Sequence, residues 1–100
     1  MTKPALLVQL KAKPGKEGEL ASFLTSARPL AEAETGTLAW FAIRFTPDTF
    51  AIFDAFADDQ GLEAHLDGPI AAALSGRADE LLAEPPKILR AEVLADTLPT

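Results

Sequence analysis

The sequence contains no cysteine and a single histidine, His65, among its 100 residues. The absence of cysteine excludes disulfide bonds, thiolate nucleophiles, iron–sulfur clusters and the usual structural zinc sites. One histidine without a spaced group of acidic residues does not make a metal site. We therefore expect no metal, and the lack of cysteine fits the reducing environment of the cytoplasm.

Basic residues are also scarce. Nine lysines and arginines stand against fifteen aspartates and glutamates, which gives a net charge of −6 and a pI near 4.6. Such a surface repels phosphate groups, and no basic stripe interrupts it. The composition therefore predicts neither nucleic acid nor an anionic membrane as a partner.

Long apolar runs are absent as well. No run approaches the roughly 20 residues that span a bilayer, and residues 1–4 lack the basic region and cleavage site of a signal peptide. A chain of this length is expected to form one domain, residues 1–100, located in the cytoplasm.

The pattern of apolar residues predicts four strands and two helical regions, the second of them in two pieces. The predicted strands are 5–12, 37–45, 50–57 and 87–94, and the predicted helices are 16–34, 60–66 and 69–82. Pro29 predicts a kink or break in the first helix, Gly36 a left-handed helix end and Gly76 an irregularity in the last helix. This β-α-β-β-α-β order is typical of the ferredoxin-like α+β fold, a four-stranded antiparallel sheet with helices on one face.

The predicted strands are apolar on both faces. In the second strand Phe41, Ile43 and Phe45 share one side, and Leu38 and Trp40 share the other. Two helical layers cannot cover both faces of one sheet, and a monomer rarely exposes an apolar patch larger than a few hundred Å². A second copy packed sheet to sheet is the simplest cover, so the sequence predicts a homodimer.

Asp54 and His65 are the residues that most suggest chemistry. Asp54 alternates with Ile52 and Phe56 in an apolar strand, where a charge is costly unless it is paired. It is either a polar anchor or base in a cavity, or a structural acid paired with a backbone amide, Arg44 or His65. His65 is either a base with a pKa near 6.5, suited to removing a phenolic proton, or a half-exposed residue at a helix end.

Four features of the chain match one family. Residues 36–40, Gly-Thr-Leu-Ala-Trp, open the second strand, and residues 54–56, Asp-Ala-Phe, lie in the third. His65 follows on the next helix, and Gly68-Pro69-Ile70 restarts the helix. Over residues 5–95 the chain resembles the antibiotic biosynthesis monooxygenase domain family of dimeric α/β-barrel proteins. The resemblance implies a homodimer in which each subunit has a cavity between its sheet and helices.

The family resemblance also implies a range of activities. Some members oxidise aromatic phenols or quinols with molecular oxygen and no metal or flavin, and others degrade haem. The haem-degrading branch uses an asparagine on the first strand and a histidine on the helix after the restart. In this chain the first strand offers Val8 or Gln9 in place of the asparagine, and the later helix offers Leu74 or Ser75 in place of the histidine. Haem degradation is therefore not expected.

The first hypothesis is therefore a cofactor-independent monooxygenase of a small aromatic or quinol-like substrate. His65 would be the base or proton relay and Asp54 its orienting partner. The residues expected to bind the substrate are Trp40, Arg44, Phe56 and Gln9. Each has a structural alternative, such as core or dimer packing for Trp40 and a solvated cation for Arg44.

The second hypothesis is a non-enzymatic dimeric α/β barrel that binds a hydrophobic small molecule or acts in a stress response. The single histidine and the absence of tyrosine, cysteine and metal ligands favour it.

Overall fold

The computed structural model describes residues 2–99 and contains four strands and four helices. The strands are β1 (Lys3–Lys11), β2 (Thr37–Thr46), β3 (Thr49–Phe56) and β4 (Lys87–Val93). The helices are α1 (Glu17–Ser26), α2 (Arg28–Glu32), α3 (Asp59–Leu66) and α4 (Pro69–Leu81). The sheet is antiparallel throughout, in the order β2-β3-β1-β4. The predicted ferredoxin-like α+β fold is confirmed.

The predicted break at Pro29 is confirmed, and it divides the first helix into α1 and α2. Ala27 ends α1 and begins α2, so that Pro29 falls in the first turn of the new helix. There its missing N–H group costs nothing, because the first amides of a helix have no partner within the helix. The first strand starts at Lys3 instead of residue 5, because Lys3 pairs with Val93 on β4.

Two predictions about glycines are wrong. Gly15 is the one described residue with positive φ, so Gly36 does not end a helix in the left-handed conformation. Instead Gly36 lies against Gly61 of α3, and a Cβ atom on Gly36 would come 2.7 Å from the Gly61 Cα atom. Only glycine allows this close approach of α3 to the start of β2. Gly76 causes no irregularity, since α4 continues through it.

The helices cover one face of the sheet, and the core lies between them. Leu6, Leu10 and Phe56 of this face are at most 2% exposed, as are Leu20 of α1 and Leu81 of α4. Each such side chain contributes about 1.5–3 kcal/mol by leaving water. The same face carries Asp54, which is fully buried.

None of the helices formed by residues 2–99 covers the opposite face of the sheet. Phe41, Ile43 and Phe45 of β2 and Leu89 of β4 are each 40–60% exposed there. None of the helices within residues 2–99 is long and apolar enough to cross a membrane.

Candidate functional site

His65 lies between two carboxylates on the helix-covered side of the sheet. Its Nδ1 atom is 2.8 Å from Oε1 of Glu34, and its Nε2 atom is 3.0 Å from Oδ2 of Asp54. All three side chains are largely removed from water, with exposures of 7% for His65, 15% for Glu34 and 0% for Asp54. Of the partners that the sequence left open for Asp54, the structure selects His65.

Local sequence explains why the imidazole reaches Asp54. Asp54 pairs across the sheet with Leu6 of β1 and with Trp40 of β2, which fixes the carboxylate on the helix-covered face. Asp58 caps α3 by accepting a hydrogen bond from the Gly61 amide at 2.9 Å. The helix then completes two turns and places His65 in its last turn, above the strand.

Glu34 is a residue of this candidate site that the sequence analysis did not identify. It follows α2, and the Thr37 hydroxyl donates a hydrogen bond of 2.6 Å to its Oε1 atom. The sequence contained a pattern that could have identified it, because Glu34 follows Ala27 and Ala31 on the same buried side of the helix. A carboxylate at that spacing on a buried face indicates a polar partner inside the protein.

The two carboxylates control the charge of the imidazole. Burial disfavours the charged ring, but the short contacts and negative charges of Asp54 and Glu34 outweigh it and raise the pKa of His65 above 6.5. The alternative of a half-exposed histidine at a helix end is wrong, because the residue is buried.

Asp54 is held by charge more than by hydrogen bonding. Within residues 2–99, neither of its carboxylate oxygens has a partner in hydrogen-bond geometry, despite the 3.0 Å separation from His65. A buried carboxylate in this situation needs the nearby positive charge to offset its desolvation. Charged His65 therefore stabilises Asp54, and neutral His65 would leave it unbalanced.

A cavity of about 280 Å³ opens beside His65, between the sheet and helices α3 and α4. Its walls are mostly aliphatic, and Ser75 is the other lining residue with a polar side chain. The full lining is Leu6, Val8, Ile52, His65, Leu66, Ile70, Ala71, Leu74, Ser75, Ala78, Pro86 and Ile88. His65 is the one ionisable side chain among them. The volume is close to the lower end of the range for small-molecule sites.

Two of the predicted substrate-binding residues lie next to the Asp54–His65 pair but outside this cavity. Phe56 is fully buried, with its ring centroid 5.2 Å from that of His65. Trp40 is the cross-strand neighbour of Asp54 and packs on Ala27, Ala31 and the core. Phe56 therefore lies beside His65 and Trp40 lies beside Asp54 in the sheet, and their roles as substrate ligands stay predictions.

The other two predicted substrate-binding residues lie elsewhere. Arg44 is exposed, and its guanidinium stacks on the Phe50 ring at 4.8 Å from the centroid. Gln9 is exposed on the face of the sheet without helices, because it alternates with Val8 and Leu10. The structure therefore does not bring Arg44 or Gln9 together with His65.

The two acids approach opposite nitrogens of the ring, which is unsuited to chelation. In the described part of the chain, no three histidine, cysteine or acidic residues are arranged to hold a metal ion.

Comparison with known proteins gives relatives among solved structures. No protein-family model matches the chain, and no curated protein matches it. The NE2512 protein from Nitrosomonas europaea, described as of unknown function, is 60% identical with a TM-score of 0.96. That comparison covers 100% of this chain and 97% of the other.

More distant structures share the fold. A candidate antibiotic biosynthesis monooxygenase from Nitrosomonas europaea is 16% identical with a TM-score of 0.84, over 92% of this chain and 99% of that one. Another, from Caulobacter crescentus, is 18% identical with a TM-score of 0.81, over 94% of this chain and 92% of that one. At these identities the likeness establishes the fold.

Proposed function

Because the chain belongs to the family of the NE2512 protein and has an antibiotic biosynthesis monooxygenase-like fold, we propose that it is a cofactor-independent monooxygenase. Its substrate is a small aromatic or quinol-like molecule, bound in the cavity beside His65. The names of the distant neighbours support this reaction class by analogy of fold.

The observation that carries the proposal is the contrast between the cavity wall and its one ionisable group. The aliphatic lining favours an apolar molecule, and His65 is the side chain there that can exchange a proton near neutral pH. A volume of about 280 Å³ is enough for a small aromatic molecule, since an apolar cavity of roughly 150 Å³ already binds benzene.

The proposed chemistry begins with proton removal. Neutral His65 accepts the proton of an acidic hydroxyl or ring methylene, and Asp54 and Glu34 stabilise the resulting imidazolium. The substrate anion, kept from water by the aliphatic walls, passes electrons to molecular oxygen. For an anthrone-type substrate, a ring methylene and O₂ become a carbonyl and water, and all four electrons come from the substrate carbon.

The proposal includes a homodimer formed through the open face of the sheet. The exposed aromatic and aliphatic side chains of β2 and β4, including Phe41, Phe45 and Leu89, support it. Packing them on a second copy removes them from water and leaves the helix-covered cavity of each subunit free.

Oxygen uptake tests the proposed reaction. Purified protein is mixed with anthrone or hydroquinone, and oxygen consumption is compared for the natural protein and His65→Gln. The matched control is Glu63→Gln, which changes an exposed residue of the same helix. We expect consumption to fall at least about tenfold in His65→Gln only, because removal of a general base has effects of this size or larger. Equal rates in all three proteins would refute the role of His65.

One observation favours a second function, which is binding without chemistry. Both ring nitrogens of His65 already face carboxylates, an arrangement that also suits a purely structural contact. A protein of this kind would bind small aromatic molecules in the cavity and consume no oxygen. Calorimetric titration beside the oxygen measurement separates the two functions.

A further inference from the structure

Glu34 has a place in the site that the proposed reaction does not by itself require. It reaches His65 from the connection between α2 and β2, on the side of the ring opposite Asp54. The Thr37 hydroxyl donates to the same Oε1 atom that contacts Nδ1, which fixes the carboxylate in one orientation. Three separate parts of the fold therefore meet at one imidazole.

The chemistry of these groups limits the protonation state of the ring. An ionised carboxylate only accepts hydrogen bonds, and a neutral imidazole carries one N–H donor. The imidazolium carries two, so it alone presents an N–H group to Glu34 and to Asp54 at once. The contact of Nδ1 with Glu34 is a hydrogen bond of 2.8 Å, and Nε2 lies 3.0 Å from Asp54, within ion-pair distance though outside hydrogen-bond geometry. A ring protonated on both nitrogens suits an acid at each of them.

We infer that Glu34 is a positioning residue that keeps His65 as an imidazolium in the resting protein and sets the pH at which His65 becomes a base. The inference rests on the proposed function, since it describes how the base of that reaction is controlled. His65 accepts a substrate proton only after losing its own proton to solvent. The rising part of the pH–rate profile then reports the pKa of this one residue.

Among residues 2–99, two charges act on His65. Of the elements around α3, β3 presents Asp54 and the α2–β2 connection presents Glu34. Strand β4 carries Arg90, which is exposed and pairs with Glu63 at 3.2 Å. The residues of α4 at the cavity are aliphatic apart from Ser75.

The single histidine of the chain makes the test direct. One imidazole resonance is followed by NMR as the pH is raised, without any substrate, in the natural protein and in Glu34→Gln. The control is Glu32→Gln, which removes the same charge from an exposed residue of α2 that pairs with Arg28. We expect the midpoint of the natural protein above 6.5, a lower midpoint in Glu34→Gln, and no change in Glu32→Gln.

A second variant covers the case in which Glu34→Gln does not fold. Glu34→Asp keeps the charge but withdraws it from Nδ1, and its midpoint should lie between the other two. Equal midpoints for the natural protein and for whichever Glu34 variant folds would overturn the inference.

The oxygen assay separates this inference from the proposed function. Glu34→Gln should move the rising limb of the pH–rate profile to lower pH, whereas a loss of folded protein lowers the rate equally at every pH. A moved NMR midpoint without any oxygen uptake would reject the monooxygenase and keep the role of Glu34. Oxygen uptake together with an unchanged NMR midpoint in Glu34→Gln would keep the monooxygenase and reject the role of Glu34.

Discussion

The two faces of the sheet contain similar apolar residues, but helices of the described residues cover only one of them. On the helix-covered face Leu6, Ile52 and Phe56 are at most 3% exposed, and His65, Asp54 and Glu34 lie among such residues. On the open face Phe41 and Phe45 are 53% and 60% exposed. The comparison teaches that polar groups in the interior mark the candidate site, whereas apolar groups at the surface support the proposed dimer contact.

The strongest way to test the covered face is to remove the charge at its centre. His65→Leu leaves Asp54 and Glu34 buried without a positive partner, and we expect the free energy of unfolding to fall by about 3–5 kcal/mol. Urea denaturation followed by circular dichroism measures this. Ala64→Leu, on an exposed position of the same helix, should stay within about 0.5 kcal/mol. Similar losses in both variants would contradict the charge pairing.

The open face is tested by placing a charge in it. Phe45→Glu would bury a carboxylate in the proposed dimer, and we expect dimer affinity to fall at least about a hundredfold, or nearly 3 kcal/mol. Light scattering coupled to size-exclusion chromatography gives the mass at micromolar concentration. Leu30→Glu is the control, because Leu30 is an exposed residue of α2, outside the sheet. A natural protein that is monomeric would refute the dimer itself.

The close approach of α3 to β2 is tested at its glycines. Gly61→Ala places a Cβ atom 2.7 Å from the Gly36 carbonyl oxygen, and we expect a loss of about 1–3 kcal/mol in unfolding free energy. In Gly76→Ala the added Cβ atom meets no atom within 4 Å, and the residue lies inside α4. Its unfolding free energy should therefore increase by about 0.5–1 kcal/mol. The melting temperature should fall in Gly61→Ala and rise in Gly76→Ala, and any other pair of shifts would contradict this explanation.

The smallest expected effect is a pH dependence of stability. The folded-state pKa of His65 lies above its unfolded value of 6.5, so the folded protein binds the proton more tightly. This stabilisation is complete below pH 6.5 and is lost as pH rises through the folded-state pKa. Melting temperature should therefore fall from about pH 6.5 upward, and His65→Gln should lack this fall. The same dependence of melting temperature on pH in both proteins would contradict the predicted contribution of His65.

The fold was more predictable than the site, for a physical reason. Alternating apolar residues and the break at Pro29 are local signals, and they predicted the order of elements. The contact between Glu34 and His65 joins residues 31 positions apart and depends on how α3 packs on β2. Gly36 shows the same limit. Glycine is needed at this position because Gly61 lies against it, and no local sequence pattern reveals that contact.

Arg44 and Gln9 are the two predicted substrate-binding residues that the structure places away from His65. Alternation correctly placed Arg44 on the side of Trp40, yet its guanidinium stacks on Phe50 near the edge of the sheet. Distance along the strand from Asp54, and not the face alone, keeps it from the imidazole. Gln9 is directed to the other face by the same alternation that buries Val8 and Leu10.

The central claim is that small aromatic molecules are oxidised in the cavity beside His65, and filling that cavity tests it most directly. Ala71→Phe adds a ring to the cavity wall, whereas Ala72→Phe adds one to the exposed side of the same helix. Oxygen consumption with anthrone should persist in Ala72→Phe and be lost in Ala71→Phe, with both variants folded by circular dichroism. Equal consumption in the two variants, or none with the natural protein, would contradict the claim.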